Sequence, residues 1–144
     1  MMKKLYAVMA AALLLCGLLT ACGSKTETAN DVDLTGFYNA LAEKYGWGDD
    51  MMDLDSDMLE MYYPGLGEIS AKQLLAKAPV MSYAVSEYVF LQADSEQDAA
   101  QAVKILQTRI DSQADGDAFY PETIDQWKAA KVLQNGAYVA MIAS

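Results

Sequence analysis

The sequence predicts an α+β fold: a small antiparallel sheet of about four strands with helices packed on one face, preceded by a signal peptide and a flexible tether. Three stretches carry that reading. From Ser95 to about Ala114 the chain is amphipathic, with Ala99, Val103, Leu106 and Ile110 on one face and Lys104, Gln107, Arg109 and Asp111 elsewhere. Tyr88-Val89-Phe90-Leu91 is an aromatic and β-branched run of strand type. Between Val132 and Val139, Asn135-Gly136 interrupts a second such run, and that dipeptide suits the positive φ angles of a type I′ hairpin turn. Strands that only half alternate suit an antiparallel sheet covered on one side.

Taken in order, the chain opens with Lys3 and Lys4 and an apolar run of 15 residues from Leu5 to Leu19. A lasting membrane helix needs about 20 apolar residues, so this run reads as a secretory signal over residues 1–21. Residues 22–32 are small and polar without periodicity, a tether with a reach of roughly 15–20 Å as a flexible coil. Residues 33–144 form a single α+β domain, long enough to bury a core without staples.

Within it, Asp33 caps a helix whose stripe is Phe37, Leu41 and Tyr45 with Leu34 and Tyr38 beside them, ended by Gly46 and Gly48. An acidic, methionine-bearing segment from Asp49 to Glu60 holds a short helix from about Ser56 to Tyr62, capped near Asp55. Pro64 to Gly67 is a turn. Ile69 to Ala78 is ambiguous, because AKQLLAKA favours helix yet runs into Pro79 and a strand. Ser95 and Asp98 make a capping box, Gly116 closes the long helix, and Pro121 starts a short one through Trp127.

Composition excludes whole classes of chemistry. The chain has no histidine and two cysteines. Cys16 lies within the signal and Cys22 before Asp33, so residues 33–144 contain no thiol. His-assisted serine or cysteine catalysis and His/Cys zinc sites are therefore outside its means. The formal net charge is −10, and all acidic residues lie beyond the signal. Nucleic acid, which needs Lys and Arg to displace counterions, is an unsuitable partner. No cofactor is expected.

What remains is carboxylate chemistry or oxygen-ligand cation binding. Asp53, Asp55 and Asp57 have the 1-3-5 spacing of a calcium loop, but Met58 and Pro64 stand where glycine and glutamate are required. Asp111, Asp115, Asp117 and Glu122 occupy positions 1, 5, 7 and 12 of such a loop with Gly116 at position 6. Gln113 and Ala118 break the pattern, and the competing reading is a solvated acidic helix end. Arg109, the one arginine, reads either as a fork for an anionic ligand or as the ion-pair partner of Asp111, Glu87 or Asp125.

Two resemblances bear on function. Leu19-Thr20-Ala21-Cys22 resembles the lipobox of bacterial lipoproteins. It implies cleavage between Ala21 and Cys22, a diacylglyceryl group on Cys22, and an extracytoplasmic protein held to the cell membrane by acyl (palmitate-type) chains. Further on lie Ala78-Pro79-Val80-Met81, Glu87 opening the strand Tyr88 to Gln92, and the helix bearing Arg109 and Gln113. With the Phe119-Tyr120-Pro121 corner and the Asn135-Gly136 and Tyr138 hairpin, they resemble a domain of unknown function, of the 4358 type, found in small Gram-positive, Clostridia-like lipoproteins. The resemblance implies a strand before Ala78-Pro79, and it brings no activity. The expectation is a lipid-anchored, non-enzymatic binding or interaction module for a protein or small ligand. The alternative is a small ion- or solute-binding lipoprotein using the segment 111–122.

Overall fold

The computed structural model describes residues 31–47, 50–81 and 84–144. The signal peptide, the Ala21–Cys22 cleavage site and most of the tether lie outside the described residues. Asp33–Ser144 forms one compact unit.

Helix α1 (Leu34–Tyr45) opens where the Asp33 carboxylate accepts the Thr35 N–H at 3.1 Å. It ends at Gly46, whose φ of 65° lets its N–H turn back to the Ala42 carbonyl. A strand the sequence did not announce follows, β1 (Met51–Asp53), three residues long and too short to show alternation. Asp55 caps α2 (Ser56–Tyr62) through the Met58 N–H at 2.9 Å. Asp53 meanwhile pairs with Lys77 at 2.7 Å. The 1-3-5 aspartates thus serve a strand ion pair, a helix cap and a first helical turn.

After a 3-10 turn at Leu66–Glu68 comes β2 (Ala71–Pro79). Its helix-forming sequence is held extended by neighbours on both sides, so pairing overrides propensity. Strand β3 (Glu87–Ala93) is buried along its whole length. Helix α3 (Glu96–Ser112) is capped by Ser95, whose hydroxyl accepts the Asp98 N–H at 3.1 Å and donates to the Asp98 carboxylate at 2.6 Å. The helix widens over Gln113–Asp117 and is broken at Gly116, where φ is 118°. Pro121–Thr123 makes a 3-10 turn into α4 (Ile124–Ala129).

The chain then forms the hairpin β4 (Lys131–Asn135) and β5 (Tyr138–Ala143). Asn135 pairs with Tyr138, so the two loop residues are Gly136 and Ala137, one place later than an Asn-Gly loop would put them. Gly136 takes the positive φ, 58°, at the first loop position, and Asn135 is the last paired residue of its strand.

The sheet is antiparallel throughout, in the order β1-β2-β3-β5-β4, with β1 raising the strand count from the expected four to five. One face is closed. Val89, Leu91 and Ala93 of β3 and Val139, Met141 and Ala143 of β5 pack with Ala99, Ala102, Leu106 and Ile110 of α3, Leu59 of α2 and Trp127 of α4. The helical layer is there, as the sequence reading has it, except that α1 lies on the opposite face. Its Leu34 and Tyr38 cover Tyr88 and Phe90. The reason is in β3 itself, which carries large apolar side chains on both faces and so needs cover on both.

Candidate functional site

Two regions of the domain gather side chains around a concavity at its surface. The first is built around Arg109, near the end of α3. Its Nη2 donates to Glu87 Oε1 at 2.6 Å and its Nε to Glu87 Oε2 at 3.1 Å, a two-pronged fork. Tyr63, fully buried at the end of α2, donates its hydroxyl to the same Oε2 at 2.7 Å. The Arg109 guanidinium lies 4.9 Å from the centre of the Tyr62 ring and 5.3 Å from that of Trp127, within cation–π range of both. Of the partners foreseen for Arg109, the structure selects Glu87. Asp111 turns aside to accept from Gln107 at 2.7 Å.

The electrostatics follow from burial and pairing. Burial, and then the Glu87 carboxylate at its oxygen, push the Tyr63 hydroxyl far above the ordinary tyrosine range. For Arg109, burial acts against the charge, but the bonds and charge of Glu87 and the nearby tyrosines outweigh it and raise its pKa. Among the described residues no buried side-chain nitrogen or oxygen lacks a hydrogen-bond partner. Glu87 thus receives both the guanidinium and the phenol, and the network ties α2, α3 and β3 together.

Beside it lies a cleft of about 130 Å³ lined by Pro79, Glu87, Arg109, Gln113, Phe119 and Tyr120, among others. Those six come from four separated stretches, and they are residues on which the family resemblance rests. Phe119 stands 84% exposed at this corner. A second groove, of about 330 Å³, shares Tyr62 and Arg109 with that cleft and is bounded by Met61, Pro64, Ile105 and Thr108.

The second region is an open trough of about 710 Å³ on the sheet face that α1 only half covers. Phe37, Leu41, Tyr45 and Trp47 form its helix side. Phe90, Ala140, Ile142 and Leu133 form its floor and outer wall. Trp47 stacks on Tyr88 with ring centres 3.9 Å apart, which fixes the inner end. Phe37, Tyr45 and Leu133 stay 44%, 60% and 62% exposed. The helix stripe Phe37-Leu41-Tyr45 was visible in the sequence. Its role as the wall of an open trough was not, because periodicity does not say how far a facing sheet extends.

The loop-like acidic residues are not gathered. Asp111 is on the last turns of α3, Asp115 and Asp117 lie in the widened turn, and Glu122 is in the 3-10 turn beyond. Among the described residues no group of three or more His, Cys, Asp or Glu is placed to hold a metal ion. Nor is any helix among the described residues long and apolar enough to cross a membrane.

The model for Domain of unknown function (DUF4358) matches residues 44–144. The chain belongs to that family. The match takes in every strand, the closed face and the Arg109 network, while all but the last two residues of α1 precede it. No curated protein and no solved structure matches the chain.

Proposed function

We propose that this protein is a lipid-anchored extracytoplasmic binding module, non-enzymatic, which receives an apolar segment of a partner protein in the trough beside α1. The observation that carries the reading is the contrast within one sheet: large apolar side chains are sealed on one face and left open over β5 and β4 on the other. Contiguous exposed apolar surface rimmed by polar residues marks interaction sites. The trough is open along its length, a shape that suits a segment laid across it better than a small molecule engulfed. Lys131, paired with Ile142 at one end, and Lys44, whose ammonium lies 5.1 Å from the Tyr45 ring, add positive charge to the rim of an acidic protein.

Anchoring rests on Leu19-Thr20-Ala21-Cys22, and two acyl chains on Cys22 give stable attachment where one is marginal. Labelling cells with a radioactive fatty acid tests it: the wild-type chain takes up label and Cys22→Ser does not. Binding is tested by a photo-crosslinking residue placed at Phe37 in the full chain. It gives one adduct of defined mass in cells, mapped to an apolar segment of the partner, and Tyr45→Asp, at a trough residue 60% exposed, removes that adduct without lowering the melting temperature of the domain. Equal adducts from an exposed control position such as Lys104, or an adduct indifferent to Tyr45→Asp, overturn the reading.

A second reading, a small-solute site at the Arg109 cleft, is favoured by the meeting there of Pro79, Glu87, Arg109, Gln113, Phe119 and Tyr120. Titration with propionate and propionamide in a Trp47→Phe background, read by Trp127 fluorescence, tests it. A saturable change lost in Phe119→Ala supports it, and a flat response to both removes it.

A further inference from the structure

The two edges of the sheet are not alike. The edge at β1 is three residues long and carries Asp53, with Asp50 just before it. Short length and charge are the usual means by which an edge is kept from pairing with another chain. The edge at β4 is longer, and its one charge, Lys131, stands at its end. It is five residues, Lys131-Val132-Leu133-Gln134-Asn135, with no proline, and none of the chain's 20 acidic residues lies between Lys131 and Ser144. At its centre Leu133 is 62% exposed.

The register of the hairpin says which backbone groups that edge offers. Across a two-residue loop the flanking pair, Asn135 and Tyr138, exchanges hydrogen bonds, and alternation then gives the same to Leu133 with Ala140 and Lys131 with Ile142. The N–H and C=O groups of Val132 and Gln134 are the ones directed outward, away from the sheet. We infer that β4 pairs with β4 of a second copy of this chain, antiparallel about a two-fold axis through Leu133, to make one continuous ten-stranded sheet.

Three features of the sequence fit that partner. Centred on Leu133, the strand is complementary to itself: Val132 exchanges its outward bonds with the partner's Gln134, and Lys131 faces the partner's Asn135 with no like charge opposite. The two Leu133 side chains meet at a non-hydrogen-bonded position, where cross-strand neighbours come closest. The acid-free hairpin also brings two strongly acidic molecules together at the place where neither presents a carboxylate of its own strand. An isologous contact of this kind closes on itself and stops at two copies.

The inference does not depend on the lipid anchor or on what fills the trough, and its test separates them. In the full chain, Leu133→Cys is subjected to mild oxidation, and the disulfide-linked peptides are identified by mass spectrometry. The expected product is a dimer joined between the two substituted positions, at least about ten-fold more abundant than from Met61→Cys, which is 74% exposed on α2. Leu133→Asp, placing two carboxylates opposite each other, is expected to raise the dimer dissociation constant at least about ten-fold in light scattering while leaving the circular dichroism spectrum unchanged. Equal linking from positions 61 and 133, or a monomer mass for the wild type throughout a dilution series that begins at millimolar protein, overturns the proposal. Linking at position 133 in a chain whose Cys22 carries no lipid would keep it and remove the anchor.

Discussion

The two faces of the sheet are made by the same strands and have opposite fates. On the closed face, alternate residues of β3 and β5 are sealed beneath α3, α2 and α4, and Glu87 accepts hydrogen bonds from both Arg109 and Tyr63. On the other, α1 covers Tyr88 and Phe90 but stops short of β5 and β4, leaving Leu133 and the trough open. The closed face lies wholly within the residues that match the family, whereas most of α1 lies before them. On the proposed function, stability and recognition are separated: one face holds the domain together, and the other meets the partner. If that division is right, substitutions of equal size must have very unequal effects on the two faces.

The largest effect is expected at the ion pair. Arg109→Ala leaves the Glu87 carboxylate, only 6% exposed, without its charged partner, and removes the group lying against Tyr62 and Trp127. A loss of about 3–5 kcal/mol in denaturant unfolding is expected. Replacing both partners together, Glu87→Leu with Arg109→Met, should recover much of it, because a buried pair owes most of its apparent worth to the cost of stranding one charge. A cost under about 1 kcal/mol for the single change would mean that the network is peripheral, and the closed face would lose its polar keystone.

Next comes the apolar layer beneath α3. Leu106 is fully buried among residues from α3 and the sheet. Leu106→Ala is expected to cost about 2–5 kcal/mol through lost transfer energy and the cavity left behind. This position and its cap were legible in the sequence. The alternating four- and three-residue spacing of Ala99, Val103, Leu106 and Ile110 is long enough to fix a face, and Ser95 with Asp98 fixes where it begins. Strand β3 and the hairpin were legible for the same reason, as local patterns with their own punctuation. Strand β1 was not, because three residues in an acidic segment carry no period, and β2 needed the family resemblance because its residues favour helix. The Glu87–Arg109 pair lay among the foreseen partners, but the cleft around it joins residues from Pro79 to Tyr120. Only the folded sheet brings those together.

A smaller effect sharpens the account of the closed face through pH. The Tyr63 hydroxyl, held neutral by burial and by Glu87, has a folded pKa far above its unfolded value near 10. Its contribution to stability is therefore complete below about pH 10 and falls above it, as the unfolded chain alone gives up the proton, at about 1.4 kcal/mol per pH unit. Tyr38 and Tyr88 are shifted upward by burial too, in the same direction. Urea unfolding measured from pH 9 to pH 11 should show stability falling with pH, and Tyr63→Phe should flatten that slope by about one proton's worth. An unchanged slope would mean that Tyr63 titrates freely and that the network admits water.

The smallest effect is the most telling for the open face. Leu133 presents as much apolar side chain as many core residues, yet 62% of its surface is already in water, and the residue paired with it on β5 is the small Ala140. Leu133→Ala removes little that folding has buried, so a change within about 0.5 kcal/mol is expected for the dilute protein. The same substitution removes the contact at the centre of the β4 edge, so the wild type and variant should diverge as protein concentration rises. Association adds stability to a folded state by mass action, and only the chain that associates gains it. A cost of 2 kcal/mol or more at high dilution would place Leu133 in the core of a single copy. The open face would then be as closed as its opposite.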